Sequence, residues 1–125
     1  MKLAGYIDAT LLRPDATCDE VRSLCTEARN LGCAAVCVNL NRLELAGECL
    51  EGSGVHLCTV IGFPLGAIPT ELKLAEIEWA LRKGAREIDM VMDIAGFKDG
   101  EDEKVLSEIK EAARTAERAG AILKV

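Results

Sequence analysis

Two groups capable of acid–base work stand inside apolar, strand-like runs. Asp89 lies within Glu87-Ile88-Asp89-Met90-Val91-Met92, and Lys124 lies between Leu123 and Val125. A charge in such surroundings is costly unless it is paired or employed, so the two are expected to pair. An aspartate so placed can carry a proton, and an amine desolvated beside it can form an imine with a small aldehyde. Residues alternate faces along a strand. Ile88, Met90 and Met92 therefore suit packing under helices, while Asp89 shares the other face with Val91 and Asp93. Asp8 and Thr10 share parity at the end of a first short strand, although Asp8 equally suits a turn or cap. Cys37 reads by default as a small core hydrophobe. His56 opens a strand after a Gly-rich turn and is the only imidazole of the chain, so an exposed strand-end position is expected for it.

Other chemistries are excluded by spacing. The six cysteines form no CxxC pair and have a single histidine for company, so the ligand spacing of a zinc site is absent and no metal is expected. Gly62-Phe63-Pro64-Leu65-Gly66 is neither a P-loop nor a dinucleotide fingerprint. Its glycines and proline instead suit a tight strand-to-helix turn. A net charge of −6 without a run of Lys or Arg argues against nucleic acid and anionic membranes as partners. No apolar stretch reaches the roughly 18 residues of a membrane span. The opening MKLAGYIDAT puts an acid where a signal peptide keeps its apolar segment. A cytoplasmic location follows as an expectation, with the cysteines reduced.

The elements that must position these residues are regularly punctuated. Hydrophobic residues are 50% of the 125 and charged ones 29%, which suffices for a core in a single domain spanning the whole chain. Thr17-Cys18-Asp19-Glu20 has the form of a capping box, followed by Val21, Leu24, Cys25, Ala28 and Leu31 at helical spacing up to Gly32. The run 34–39 then reads as a strand buried on both faces. The same alternation returns three times. A helix from about Asn41 precedes a strand at 56–63. A helix opened by Pro69 and Thr70, with Leu74, Ile77 and Leu81 as its stripe, precedes a strand at 87–92. A helix with Val105, Ile109, Ala112 and Ala116 precedes a strand at 121–125. With a short strand around Tyr6-Ile7-Asp8, this predicts an α/β fold of five parallel strands and four helices joined by right-handed crossovers. Length alone favours an open doubly wound sheet over the start of an eight-stranded barrel, which needs about 250 residues. Both architectures place chemistry at the carboxyl ends of the strands.

Five segments together resemble one family. Ile7-Asp8-Ala9-Thr10-Leu11-Leu12 with Pro14, Ala34-Ala35-Val36-Cys37-Val38-Asn39, Val60-Ile61-Gly62-Phe63-Pro64-Leu65-Gly66, Glu87-Ile88-Asp89-Met90-Val91 and Leu123-Lys124-Val125 are similar, in order and spacing, to deoxyribose-phosphate aldolase. The resemblance implies a (βα)8 barrel, against the length argument. The chain would then be its first four βα units and fifth strand, a parallel half of a TIM barrel. It implies a lyase that reversibly cleaves 2-deoxyribose 5-phosphate to glyceraldehyde 3-phosphate and acetaldehyde through a lysine Schiff base, with no metal or other cofactor. Asp89 matches the catalytic aspartate. Asp8, Thr10 and Cys37 match positions lining the substrate pocket, and Lys124 matches an interior lysine of the fifth strand. The family's Schiff-base lysine lies on the sixth strand, its second catalytic lysine on the seventh, and its phosphate loops follow the last strands, none with a counterpart here. Where the family commonly has histidine between the matched Asp and Thr, this chain has Ala9. Weak or no activity of the chain alone is therefore expected, on a sugar phosphate or a small aldehyde. Two exposed edges and an uncovered inner face predict self-association as a homodimer. A self-associating structural half-barrel is one alternative. A receiver-like signalling domain, with an Asp and a strand-five Lys, is another, but Ile61-Gly62-Phe63 fits its acceptor position poorly.

Overall fold

The computed structural model describes residues 2–125. Five parallel strands, β1 (Asp8–Leu11), β2 (Ala35–Val38), β3 (His56–Ile61), β4 (Glu87–Met90) and β5 (Ile122–Lys124), pair in the order in which the chain makes them. Helices α1 (Cys18–Leu31), α2 (Leu43–Leu50), α3 (Thr70–Arg82), α4 (Ile94–Lys98) and α5 (Asp102–Arg118) lie in the crossovers. A strand order that never reverses keeps right-handed crossovers on one face of the sheet and curls it around the other. A doubly wound sheet, and the receiver-like reading with it, requires a reversal of winding, and the observed order has none. The fold is half of a TIM barrel.

The helices form for local reasons that the sequence states openly. Thr17 accepts from the Glu20 backbone N–H at 3.3 Å while the Glu20 carboxylate accepts from the Thr17 N–H at 2.8 Å, completing the capping box. Gly32 takes a left-handed conformation with φ of 70° to end α1. The convex face of the sheet buries Val36, Val38, Leu57, Ile61, Ile88 and Met90 under apolar residues of α1, α2, α3 and α5. The opposite parity faces the hollow, where Ala35, Cys37, Cys58 and Val60 form a smaller apolar layer.

Three expectations need correction. The first strand begins at Asp8, and Leu3–Tyr6 is a 3-10 turn. Ala9 and Leu11 supply its helix-facing parity, whereas Tyr6 and Ile7 are exposed and cover nothing. A fifth, short helix follows β4, capped by Asp93, whose side chain accepts from the Gly96 N–H at 3.0 Å. On α3 the fully buried positions are Lys73, Ile77 and Ala80, with Leu74 and Leu81 only half-buried.

Lys73 is the most unexpected of these. Its ammonium, fully buried, lies 2.8 Å from Glu108 Oε1 on α5. The same oxygen accepts from the Asp93 N–H at 3.1 Å, and Oε2 accepts from Thr70 Oγ1 at 2.9 Å. One carboxylate thus joins α3, α5 and the segment after β4. Lys73 also packs beneath the turn at 62–66, where the Gly66 N–H donates to Gly62 O at 2.6 Å. A Cβ on Gly66 would stand 2.2 Å from Met92 O, so the close approach of that turn to the segment just after β4 requires glycine.

Removing one partner of a buried ion pair leaves the other charge uncompensated. Glu108→Ala is expected to cost about 3–5 kcal/mol, while Lys73→Met/Glu108→Leu restores most of the loss. Urea-unfolding midpoints measure both, and a Glu108→Ala cost under about 1 kcal/mol, the range of an exposed pair, would contradict the assignment.

Candidate active site

The hollow of the half-barrel is organised around the ammonium of Lys124. Its Nζ donates to Asp8 Oδ2 at 2.6 Å and lies 2.9 Å from Glu87 Oε2 and 3.0 Å from Asp89 Oδ1. Asp89 and Lys124 are register partners on neighbouring strands, so the expected pairing is present. Asp8, however, sits on the opposite edge strand, and the sheet must curl tightly for Lys124 to reach it. Only part of the cluster lies at the carboxyl ends of the strands, the expected place: Lys124 ends β5 and Asp89 is next to last in β4. Asp8 and Glu87 are the first residues of β1 and β4. Strand stagger brings the start of β1 level with the third residue of β5.

Three carboxylates face one ammonium, leaving two negative charges in excess. Burial opposes the charge of Lys124, but the nearby carboxylates of Asp8, Glu87 and Asp89 outweigh it and raise the pKa well above the ordinary lysine value. Burial likewise opposes the charge of Glu87, yet Lys124 and His56 together hold its carboxyl below the ordinary value. His56 is half-exposed at the start of β3, as expected, and its Nδ1 donates to Glu87 Oε1 at 2.9 Å. Lys124 is therefore a held ammonium rather than a free amine, and the imine considered for it is disfavoured because only the unprotonated amine attacks a carbonyl.

Asp89 differs from its neighbours. Its Oδ1 is buried, and although it lies 3.0 Å from Nζ, no well-directed hydrogen bond reaches it. Within the cluster it is the carboxylate whose fully buried oxygen lacks a directed hydrogen bond. Cys37 is buried opposite Cys58 on the adjoining strand, and the hydrogen bond with Cys37, together with burial, pushes the Cys58 thiol up. The two sulfurs and a carboxylate oxygen of Asp89 lie within 4.8 Å of one another, as do ligand atoms of Asp8, Cys58 and Glu87. Thr10 is exposed, and its hydroxyl turns back to donate to Asp8 O at 2.9 Å. The structure thus unites Asp8, Cys37, Asp89 and Lys124 and leaves the Thr10 side chain outside their contacts. Glu87 and Cys58 were not singled out from the sequence. The available signals were the shared parity of Glu87 with Asp89 and the identical strand setting of Cys58 and Cys37.

A cleft of about 870 Å³ lies elsewhere. It is lined by His56 and by mixed charges including Glu44, Glu48, Arg82, Lys83 and Arg86, and by none of Asp8, Asp89 or Lys124. Its charges pair among themselves, Lys83 with Glu44 for example. Partly buried, converging titratable groups make the hollow the stronger candidate.

A singly wound parallel half-barrel with an acid–base cluster on its inner strands defines the class: a segment of a βα-barrel enzyme. The chain belongs to the DeoC/LacD family of aldolases, whose family model matches residues 3–123. It is 46% identical over 123 residues to the deoxyribose-phosphate aldolase of Caldanaerobacter subterraneus subsp. tengcongensis, an alignment covering 98% of this chain and 53% of that protein. Among solved structures, the aldolase QR15 superposes with a TM-score of 0.92 at 35% identity, covering 100% of this chain and 55% of the other. The tetrameric deoxyribose phosphate aldolase of Aeropyrum pernix superposes with a TM-score of 0.90 at 38% identity, covering 98% and 51%. The chain therefore spans about half the length of the relatives it matches. Among the described residues, no helix is long and apolar enough to cross a membrane.

The direction of each shift sets the pH window of the cluster. Glu87, lowered on folding, contributes stability above its unfolded value of about 4.3 and loses it as pH falls; Lys124, raised, contributes below about 10.4 and loses it as pH rises further. Lys124→Met, which leaves three carboxylates facing one another, is expected to lower Tm at pH 7 by a margin that shrinks toward pH 4. Thermal unfolding across pH checks this, and a constant deficit would mean that the lysine acts by packing alone.

Proposed function

We propose that this chain supplies the proton-transfer half of a Schiff-base aldolase centre that cleaves 2-deoxyribose 5-phosphate to glyceraldehyde 3-phosphate and acetaldehyde and runs the reverse addition. The observation that carries the reading is the buried Asp89 oxygen, without a directed hydrogen bond, 3.0 Å from the Lys124 ammonium. Asp89 takes and returns the proton, and Lys124 holds the carboxylate in place and stabilises its charge. Asp8, Thr10 and Cys37 border the substrate pocket. The imine, an electron sink for carbon–carbon cleavage, forms in this reading on a lysine outside the five strands, with no metal or other cofactor taking part. The chain alone is then expected to turn over sugar phosphate weakly or not at all.

The same reading treats residues 1–125 as one unit that self-associates. Strands β1 and β5 have no further strand partner among the described residues, and Leu3, Tyr6, Ile122 and Val125 are exposed on or beside them. Two copies related by a twofold axis can pair these edges and cover each other's hollow. Six free thiols support a reducing, cytoplasmic setting.

Two experiments test the reading. In a chimera whose first half is residues 1–125 and whose second half comes from the Caldanaerobacter relative, Asp89→Asn is expected to lower kcat about 10²–10⁴-fold. A folded chimera indifferent to that substitution removes Asp89 from the chemistry. Light scattering after size exclusion is expected to give a dimer mass for the chain alone, and a well-folded monomer at micromolar concentration contradicts the association.

A further inference from the structure

We propose that Cys37, Cys58 and Asp89 form a binding site for a thiophilic divalent cation of the Zn2+ or Cd2+ class inside the half-barrel. The three residues come from three adjoining strands, β2, β3 and β4, and point to one hollow. Cys37 faces Cys58 directly in the register, and Asp89, paired with Val60, lies two residues further along the same face. Two sulfurs and one carboxylate oxygen already lie within 4.8 Å of one another. Ligands around a tetrahedral zinc stand about 2.0–2.3 Å from the metal, hence closer together still, and small rotamer adjustments on rigid strands supply the difference. Three protein ligands leave a fourth position for water.

Independent features of the site agree. Both thiols are almost fully buried, at 2% and 0% exposure. Cys58 Sγ meets Cys37 and otherwise has only a long contact to Thr59 O, 3.9 Å. Asp89 Oδ1 is buried without a directed hydrogen bond. The excess of two negative charges around Lys124 draws a dication into the hollow. Lys124 retains Asp8 and Glu87 when Asp89 turns to the ion, so no ammonium is orphaned. Binding releases one proton from each thiol to solvent and places three ligand charges around the dication.

Neighbouring groups fit less well. Asp8, Cys58 and Glu87 are also close together, but their carboxylates already serve Lys124 and His56. Cys25 and Cys49 interact across α1 and α2 but have no third ligand nearby among the described residues. An ion at the first site removes Asp89 from proton transfer. That consequence rests on the aldolase reading, whereas coordination does not.

The test titrates Cd2+ into the reduced, metal-free chain and follows the ultraviolet sulfur-to-cadmium charge-transfer band. One ion per chain with two-thiolate intensity is expected. Cys37→Ala and Cys58→Ala each halve the intensity and weaken affinity. Asp89→Asn weakens affinity with intensity unchanged, and Cys25→Ala/Cys49→Ala changes neither. Zinc-edge X-ray absorption of the unsubstituted complex is expected to count two sulfurs at about 2.3 Å, a readout independent of whether any variant folds. No band, a band that survives Cys37→Ala/Cys58→Ala in a folded protein, or a sulfur count other than two overturns the site. None of these readouts requires turnover, so they leave the aldolase reading to its own test.

Discussion

One ammonium group ties the two edges of this sheet together. Lys124 projects from the last strand and reaches a carboxylate on the first, 116 residues away in the chain, at 2.6 Å. It can do so only because all the crossovers wind the same way and curl the strands around a common hollow. Two further acids on β4 complete the cluster. Three carboxylates sharing one cation remain a net negative centre, which fixes what the hollow can do: attract cations, hold a lysine charged and present one carboxylate oxygen without a directed partner.

The convex side obeys different physics. There the sheet is covered by helices, and the expected apolar stripe does most of the packing. Yet Lys73 and Glu108 meet in full burial between α3 and α5. Buried pairs are weak evidence for stability, since a well-packed apolar replacement often does as well. What this pair offers is shared hydrogen bonding: the Glu108 carboxylate also receives Thr70 and the backbone after β4. It therefore sets the relation between the third helix, the fifth helix and the loop that follows the strand bearing Asp89.

Much of the architecture was legible in particular residues. The capping box at Thr17 and Glu20 and the glycine stops after α1 and α3 are local signals, and the helices begin and end close to them. Alternation along 87–92 separated Asp89 from the helix-packed Ile88 and Met90, and the face it occupies is the hollow. Tyr6-Ile7-Asp8 misled because apolar character alone does not say which residues receive a cover, and the chain before Asp8 receives none. Lys73 was invisible because a lysine at helical spacing reads as solvated until its buried partner, 35 residues away, is placed beside it.

By itself, then, the sequence determined the alternation of strands and helices, the face to which each strand residue turns and, through five matched segments, the family to which the chain belongs. These are properties of neighbours along the chain, written in periods of two and of about 3.6 residues. Tertiary structure alone decided that Glu87 joins Asp8 and Asp89 around Lys124, that Cys58 stands against Cys37 and that Thr10 turns away. Such partnerships depend on the curl and stagger of the whole sheet, which bring side chains together from strands that share no local pattern.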